Sequence, residues 1–282
     1  MTQYHTLTID GLDIFYREAG DQKLPTMVLL HGFPSASHMF RDLMPQLSSH
    51  FHLIALDFPG FGQSSAPDHT QFAYTFDHLA TITEHFLAAL NVAPFYMYVF
   101  DYGAPIGFDI ACRHPNWIQG IISQNGNVYT EGLGAKWATR QDFWQHPTPA
   151  KREQYRSAFA PDTIIGQYTF GTQPNTVSPD GYTLDIAYTH STGYAERQLD
   201  LIFDYQNNIK RYPQFQAYLR RYQPRLLAVW GKNDPSFIAS GALAFQRDDA
   251  NTRVELVDSG HFALETHAAQ IAALIIDTFT TN

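Results

Sequence analysis

Charge is what this chain has least of. Asp, Glu, Lys and Arg together make up 16% of the residues, and the balance is acidic, with a formal charge of −9. No run of lysines or arginines occurs, so neither a nucleic acid nor an anionic membrane surface is an expected partner. No stretch approaches 18 consecutive apolar residues, so no membrane span is expected. The single cysteine, Cys112, leaves no internal disulfide to form. Its place in a helical stretch reads as that of a small buried thiol. The first twelve residues are polar and strand-like, with no basic segment leading into an apolar one. No secretory leader is read there, and a soluble, cytoplasmic protein is expected.

Hydrophobic residues supply 44% of a 282-residue chain, enough for one large α/β core or a core with an insertion. Residues 6–9 and 14–17 read as a strand pair turned at Asp10-Gly11. The apolar runs 27–30, 53–56 and 95–100 suit buried parallel strands. Helical spacing marks 38–47 and 75–90, the latter with Leu79, Ile82, Phe86, Leu87 and Leu90 on one face. A further helix runs to about His114, and a strand occupies 118–123. Strict alternation of strand and helix is the signature of a doubly wound, parallel sheet. At Asn125-Gly126-Asn127 the pattern breaks. The next ~95 residues are rich in Tyr, Trp, Phe and Gln, punctuated by prolines, and show no buried strand. Alternation resumes at 226–230, with a helix near 239–246, a strand at 254–257 and a last helix over 262–279. The reading is a core, 1–124 and 223–282, interrupted by a helical cap, 125–222.

One junction carries chemistry. The strand ending in Val99-Phe100 meets Asp101, turns at Gly103 and leaves as a helix, the outline of a nucleophile elbow. Aspartate stands where esterases place serine. A carboxylate with an ordinary pKa of about 4 is ionised at neutral pH and needs no base to attack. Displacement at a saturated carbon, as in epoxides or alkyl halides, follows more naturally than ester cleavage. The covalent ester so formed then needs a base for water and an acid to orient that base. His261 follows the last strand, in Asp258-Ser259-Gly260-His261-Phe262, and Asp234 follows the strand that resumes the core. Both fall at the carboxyl edge of the sheet, where open α/β folds bind ligands. Taken singly, Asp101 reads as a helix cap, His261 as an ordinary histidine and Asp234, before Pro235, as a turn residue. Their coincidence at three strand ends, in the order nucleophile, acid, histidine, favours catalysis. Ser64, in Gly62-Gln63-Ser64-Ser65-Ala66, lacks the strand–turn–helix setting and is set aside.

With these residues in place the chain resembles the α/β-hydrolase superfamily, and within it the epoxide hydrolase and haloalkane dehalogenase branch. The matching pieces are His31-Gly32-Phe33-Pro34, Asp57-Phe58-Pro59-Gly60-Phe61-Gly62-Gln63-Ser64, Val99-Phe100-Asp101-Tyr102-Gly103, Gly231-Lys232-Asn233-Asp234 and Ser259-Gly260-His261-Phe262. The resemblance implies a mostly parallel, eight-stranded sheet flanked by helices, with an inserted helical cap and no cofactor or metal. It implies a monomer or homodimer acting on a small molecule and water. It implies an oxyanion hole made by the backbone N–H groups of Phe33 and Tyr102, with a cis bond at Phe33-Pro34. In some relatives the orienting acid follows the strand before the cap. Gln124-Asn125-Gly126-Asn127 offers no carboxylate there, which points to Asp234.

The branches differ in what receives the leaving group. Epoxide hydrolases resemble one another in two cap tyrosines, and Phe203-Asp204-Tyr205-Gln206-Asn207 resembles the segment bearing the second, which makes Tyr205 the expected proton donor. Where its partner is sought, the chain has Arg140, with Trp144, Trp137, Tyr155 and Tyr168 as further pocket candidates. Arg140 suits a polar or anionic substrate group. Haloalkane dehalogenases carry a Trp after the nucleophile, and here Tyr102 stands instead; Val99, however, looks more like that branch. Pro105, without a neighbouring arginine, speaks against a haloacid clamp. Hydrolysis of a small or medium apolar epoxide is thus the first expectation, dehalogenation the second, and a non-catalytic receptor on the same fold the third.

Overall fold

The computed structural model describes residues 1–280. Eight strands form one sheet: β1 (Gln3–Ile9), β2 (Leu12–Ala19), β3 (Thr26–Leu30), β4 (His52–Leu56), β5 (Phe95–Phe100), β6 (Ile118–Gln124), β7 (Arg225–Gly231) and β8 (Thr252–Val257). Their order is β1-β2-β4-β3-β5-β6-β7-β8. β1 and β2 pair antiparallel, as do β2 and β4, and all later pairings are parallel. After β3 the chain steps one way to β4, then returns past β3 to lay β5 on its other side. Open α/β sheets bind ligands at such a reversal, outside the carboxyl ends of the strands.

β3 and β4 are buried along their whole length, as continuous apolar runs in a covered parallel sheet should be. Ten helices accompany the strands among the described residues. In the first half these are α1 (Met44–Leu47), α2 (Phe76–Leu90) and α3 (Gly103–Arg113). The expected helix over 38–47 is broken: a short 3₁₀ turn, Ser37–Phe40, precedes α1. Pro45 fits the first turn of α1, where its missing N–H costs nothing. In α2, Thr75 caps the first turn by accepting from the His78 N–H, and Leu79, Ile82, Phe86 and Leu87 are buried. Each such side chain contributes about 1.5–3 kcal/mol on burial. Leu90, expected on the same face, is only half-buried at the helix end.

Between β6 and β7 come α4 (Trp137–Gln145), α5 (Pro149–Gln154), α6 (Pro161–Thr169), α7 (Pro179–Thr189) and the long α8 (Tyr194–Tyr222). No strand lies among them; a single bridge joins Leu133 to Phe237. α9 (Ser240–Asp248) and α10 (Leu264–Thr280) complete the core, α10 with a non-helical residue at His267. The helices after β6 are tied to the sheet edge by buried polar bonds. Asp185 on α7 bonds His38 Nε2 at 2.6 Å and accepts from the Tyr168 hydroxyl of α6. Because Asp185 and His38 are both buried, this pairing holds α6 and α7 against the loop that follows β3. Among the described residues no helix is long and apolar enough to cross a membrane.

Candidate active site

Asp101 follows β5 directly and adopts φ 45°, a left-handed backbone that non-glycine residues rarely take. The turn is tight because α3 starts two residues later. A side chain at Gly103 would put its Cβ 2.3 Å from the Leu30 carbonyl oxygen, so the elbow closes only with glycine there. Across the turn, a Cβ on Gly32 would lie 2.3 Å from the Cβ of Asp101. Gly32 thereby lets the loop after β3 approach the carboxylate, and the Phe33 N–H donates to Asp101 Oδ1 at 2.8 Å.

His31 fixes that loop. Burial pushes its imidazole down to about 3, so the ring is neutral at ordinary pH. Its Nε2 accepts from the Phe58 N–H at 3.0 Å and its Nδ1 faces the Gly32 carbonyl at 3.2 Å. The Phe33–Pro34 bond is cis.

His261 and Asp234 meet beside the elbow. His261 Nδ1 donates to Asp234 Oδ2 at 2.6 Å, and its Nε2 lies 3.6 Å from Asp101 Oδ2. All three side chains are buried. Asp234 Oδ1 accepts from the Ser236 N–H at 2.7 Å, and Oδ2 also accepts from Asn125 Nδ2 at 2.9 Å. Asn125 in turn accepts from the Gly231 N–H, and Gln124 Nε2 donates to the His261 carbonyl. The end of β6, which carries no carboxylate, therefore supplies the amides that hold Asp234 and His261 in place. Burial works against a charged imidazole at 261, but Asp234 and then Asp101 outweigh it and push the ring up to about 9.

Asp101 and His261 open onto a cavity of about 340 Å³, lined also by Phe33, Tyr102, Lys136, Trp137, Arg140, Tyr155, Gln167 and Phe237. A second cavity, about 310 Å³, adjoins it and shares His261, Lys136 and Gln167, and is lined also by Asp234, Pro235, Gly166 and Phe170. Arg140, a pocket candidate from the sequence, stands on the wall of the first cavity. Tyr205 and Trp144 do not line this cavity. Tyr205 is buried on α8, one seven-residue repeat before Tyr212, so the two rings share a helix face and their hydroxyls pair at 3.3 Å. Trp144 Nε1 donates to the Ile202 carbonyl. Tyr168, another pocket candidate, is engaged with Asp185 instead. Lys136 and Gln167 carry no motif and escape a reading of the sequence. Asn125 was visible only as the place where a carboxylate is missing.

Two tyrosines of the cavity wall carry hydroxyls that have no partner. The oxygens of Tyr102 and Tyr155 are buried and make no hydrogen bond. Burial raises both tyrosines above the ordinary value, while the nearby Arg140 charge pulls each back. The indole N–H groups are spent elsewhere, that of Trp137 on the Ser236 carbonyl at 2.9 Å. Among the described residues no group of three or more His, Cys, Asp or Glu side chains could hold a metal ion.

The chain is similar to an uncharacterized hydrolase of Saccharomyces cerevisiae, 43% identical over all of this chain and 99% of that protein. A haloalkane dehalogenase of Bradyrhizobium diazoefficiens is 38% identical over 112 residues, 39% of this chain and 35% of the relative. Epoxide hydrolase 4 of Homo sapiens is 33% identical over 131 residues, 45% of this chain and 36% of the relative. The solved structure of the haloalkane dehalogenase DbeA from Bradyrhizobium elkani superposes over the full length of both chains, with a TM-score of 0.82 at 21% identity, a likeness of fold. The family described as the alpha/beta hydrolase fold matches residues 25–268. With its eight-stranded sheet and these relatives, the chain belongs to the α/β-hydrolase family and is a hydrolase related to haloalkane dehalogenases and epoxide hydrolases.

Proposed function

We propose that this hydrolase opens epoxides, with Asp101 as nucleophile, His261 as base and Asp234 as its orienting acid, under a cap formed by residues 125–222. The observation that carries the reading is the pair of buried, unpartnered hydroxyls of Tyr102 and Tyr155, two residues that line the cavity holding Asp101. An opening epoxide oxygen needs a proton, which a hydroxyl can give. A departing halide needs N–H donors, and the indoles of Trp137 and Trp144 are both committed to carbonyls.

Asp101 attacks a ring carbon from the back and the C–O bond breaks, leaving an alkyl ester and an alkoxide. The alkoxide takes a proton from a tyrosine hydroxyl, which recovers it from the imidazolium of His261. Ester formation also removes the negative charge of Asp101, one of the two charges that keep His261 protonated. The now neutral imidazole can take a proton from water, which attacks the carbonyl carbon of Asp101. The Phe33 N–H, 2.8 Å from Oδ1, stands ready to hold the oxyanion, with the Tyr102 N–H as the second donor of this reading. Collapse expels the alkoxide, which takes the proton held by His261 and leaves as the diol; the neutral imidazole then recovers the proton left on the carboxyl of Asp101.

Exchange of His261 for Gln should stall the cycle at the ester. Mass spectrometry of that variant, after incubation with a small terminal epoxide, is expected to show an adduct on the peptide bearing Asp101. An adduct from an alkyl halide but from no epoxide would transfer the chain to dehalogenation. That second reading has some support in the side-chain amides of Gln154 and Gln167, which also line the cavity. The acidic and unclustered charge of the chain supports a cytoplasmic enzyme that meets a small molecule and water rather than a polyanion.

A further inference from the structure

Arg140 has no task in the reaction just described. Its guanidinium lies 4.5 Å from the centre of the Trp137 ring, on the cavity wall. Trp137 is itself fixed through its bond to the Ser236 carbonyl. Among the described residues no carboxylate or hydrogen-bond acceptor partners Arg140. Lys136, four residues earlier and therefore on the same side of the helix start, lines the cavity too and also lacks an ion pair. Other arginines of this region are engaged: Arg152 and Arg156 both bond Glu196. In a chain with 27 acidic residues and 18 basic ones, an arginine left without a carboxylate beside a cavity asks for an anion from outside, and Lys136, which feels Asp234 and Asp101, adds its charge nearby. Asp101 is the only carboxylate on that cavity wall, and its negative charge is needed for attack.

We propose that Arg140, assisted by Lys136, anchors a carboxylate, and that the substrates of this enzyme are small epoxides bearing a carboxylate group. The inference deepens the epoxide reading and rests on it. A guanidinium offers two parallel N–H donors that match a carboxylate, and stacking on an indole holds it oriented before the ligand arrives. A neutral apolar epoxide would fill the same space and leave the half-buried Arg140 without a partner. A carboxylate satisfies it. The cations also offset the repulsion that an anionic substrate meets as it nears Asp101. The hydroxyls of Thr163 and Ser157 line the same cavity and suit a polar rather than a purely hydrocarbon occupant.

The test uses the full-length protein and a series of ω-epoxyalkanoates of increasing chain length, each paired with its primary amide. The expected result is that for the best-fitting length kcat/KM for the acid exceeds that for the amide at least tenfold. In Arg140→Gln this ratio should collapse toward one, chiefly through KM. Arg140→Lys, which keeps the charge and loses the paired donors, should lie between. Without any variant, hexanoate should inhibit hydrolysis of a neutral epoxide competitively at concentrations where hexanamide does not. Amides opened as well as acids, with hexanoate no better than hexanamide, would overturn the anchor and leave the epoxide reading standing. A ratio unchanged in Arg140→Gln, with both substrates slowed alike, would also overturn it, assigning Arg140 to the opening oxide. If neither series is opened and His261→Gln gathers no adduct, the epoxide reading fails and this inference with it.

Discussion

Asn125 donates to the same oxygen of Asp234 that receives the Nδ1 proton of His261, at 2.9 Å and 2.6 Å respectively. Asp234, which orients the His261 ring, is thus itself oriented by the end of a neighbouring strand, and Asn125 and His261 share one hydrogen-bond partner. Asp234→Asn should lower turnover by about 10²–10⁴-fold, the range of a lost acid–base contribution. The double exchange Asn125→Asp/Asp234→Asn puts the carboxylate back on the other strand end. It should recover at least part of the loss, read as the deacylation rate of the trapped ester.

Asn125→Ala removes both the donor to Asp234 and the acceptor for the buried Gly231 N–H. Leaving such groups unpaired costs about 1–3 kcal/mol each. Urea unfolding should show a loss of that order, accompanied by slower ester hydrolysis.

His261 titrates at about 9 in the folded chain against an ordinary 6.5. A raised value stabilises the fold fully below 6.5 and loses that contribution as pH climbs through 9. The wild type should therefore lose on the order of 3 kcal/mol more than His261→Gln between pH 6.5 and 9.5. Parallel unfolding curves for the two proteins across that range would refute the charged imidazole.

If the water attacks the carboxyl carbon of Asp101, the oxygen added to the diol comes from the enzyme. A single turnover in ¹⁸O-water should give unlabelled diol and label in the peptide containing Asp101. Label appearing in the diol in the first turnover would mean direct attack of water on the epoxide.

Tyr102→Phe and Tyr155→Phe remove the two unpartnered hydroxyls with little change of volume. Each should slow adduct formation from an epoxide, by up to about 10²–10⁴-fold for the principal donor. A reactive alkyl halide, which needs no proton, should still alkylate Asp101 in both variants.

The alternation of strands and helices was legible because each central strand is a short, mostly apolar run that stops at a polar residue or glycine: β3 at His31, β4 at Asp57, β5 at Asp101, β6 at Gln124 and β7 at Gly231. The grouping of Asp101, Asp234 and His261 was legible for a related reason. Each directly follows a strand, or nearly so, and parallel strands bring their ends to one edge. The helices after β6 were harder. Tyr205 carries a family-like segment, yet where it points depends on how α8 is rotated against the core, which packs its ring among Phe76, Tyr102 and Trp137 and leaves its hydroxyl to pair with Tyr212. Arg140 could be placed on the cavity, but its freedom from any carboxylate emerges only when every acidic neighbour is accounted for. Tyr102 was read for its backbone N–H, while its unpartnered hydroxyl depends on what the surrounding rings fail to offer. The break of the 38–47 helix followed from Pro45, whose ring suits a helix start and not its middle.

The left-handed backbone at residue 101 acts before any chemistry does. At φ 45° the turn disfavours β-branched side chains and tolerates aspartate and asparagine best among residues other than glycine. Asparagine has nearly the outline of aspartate and none of its charge. The same bend would accept this inert twin with no objection from the backbone, so reactivity at this point can be extinguished while the architecture around it persists.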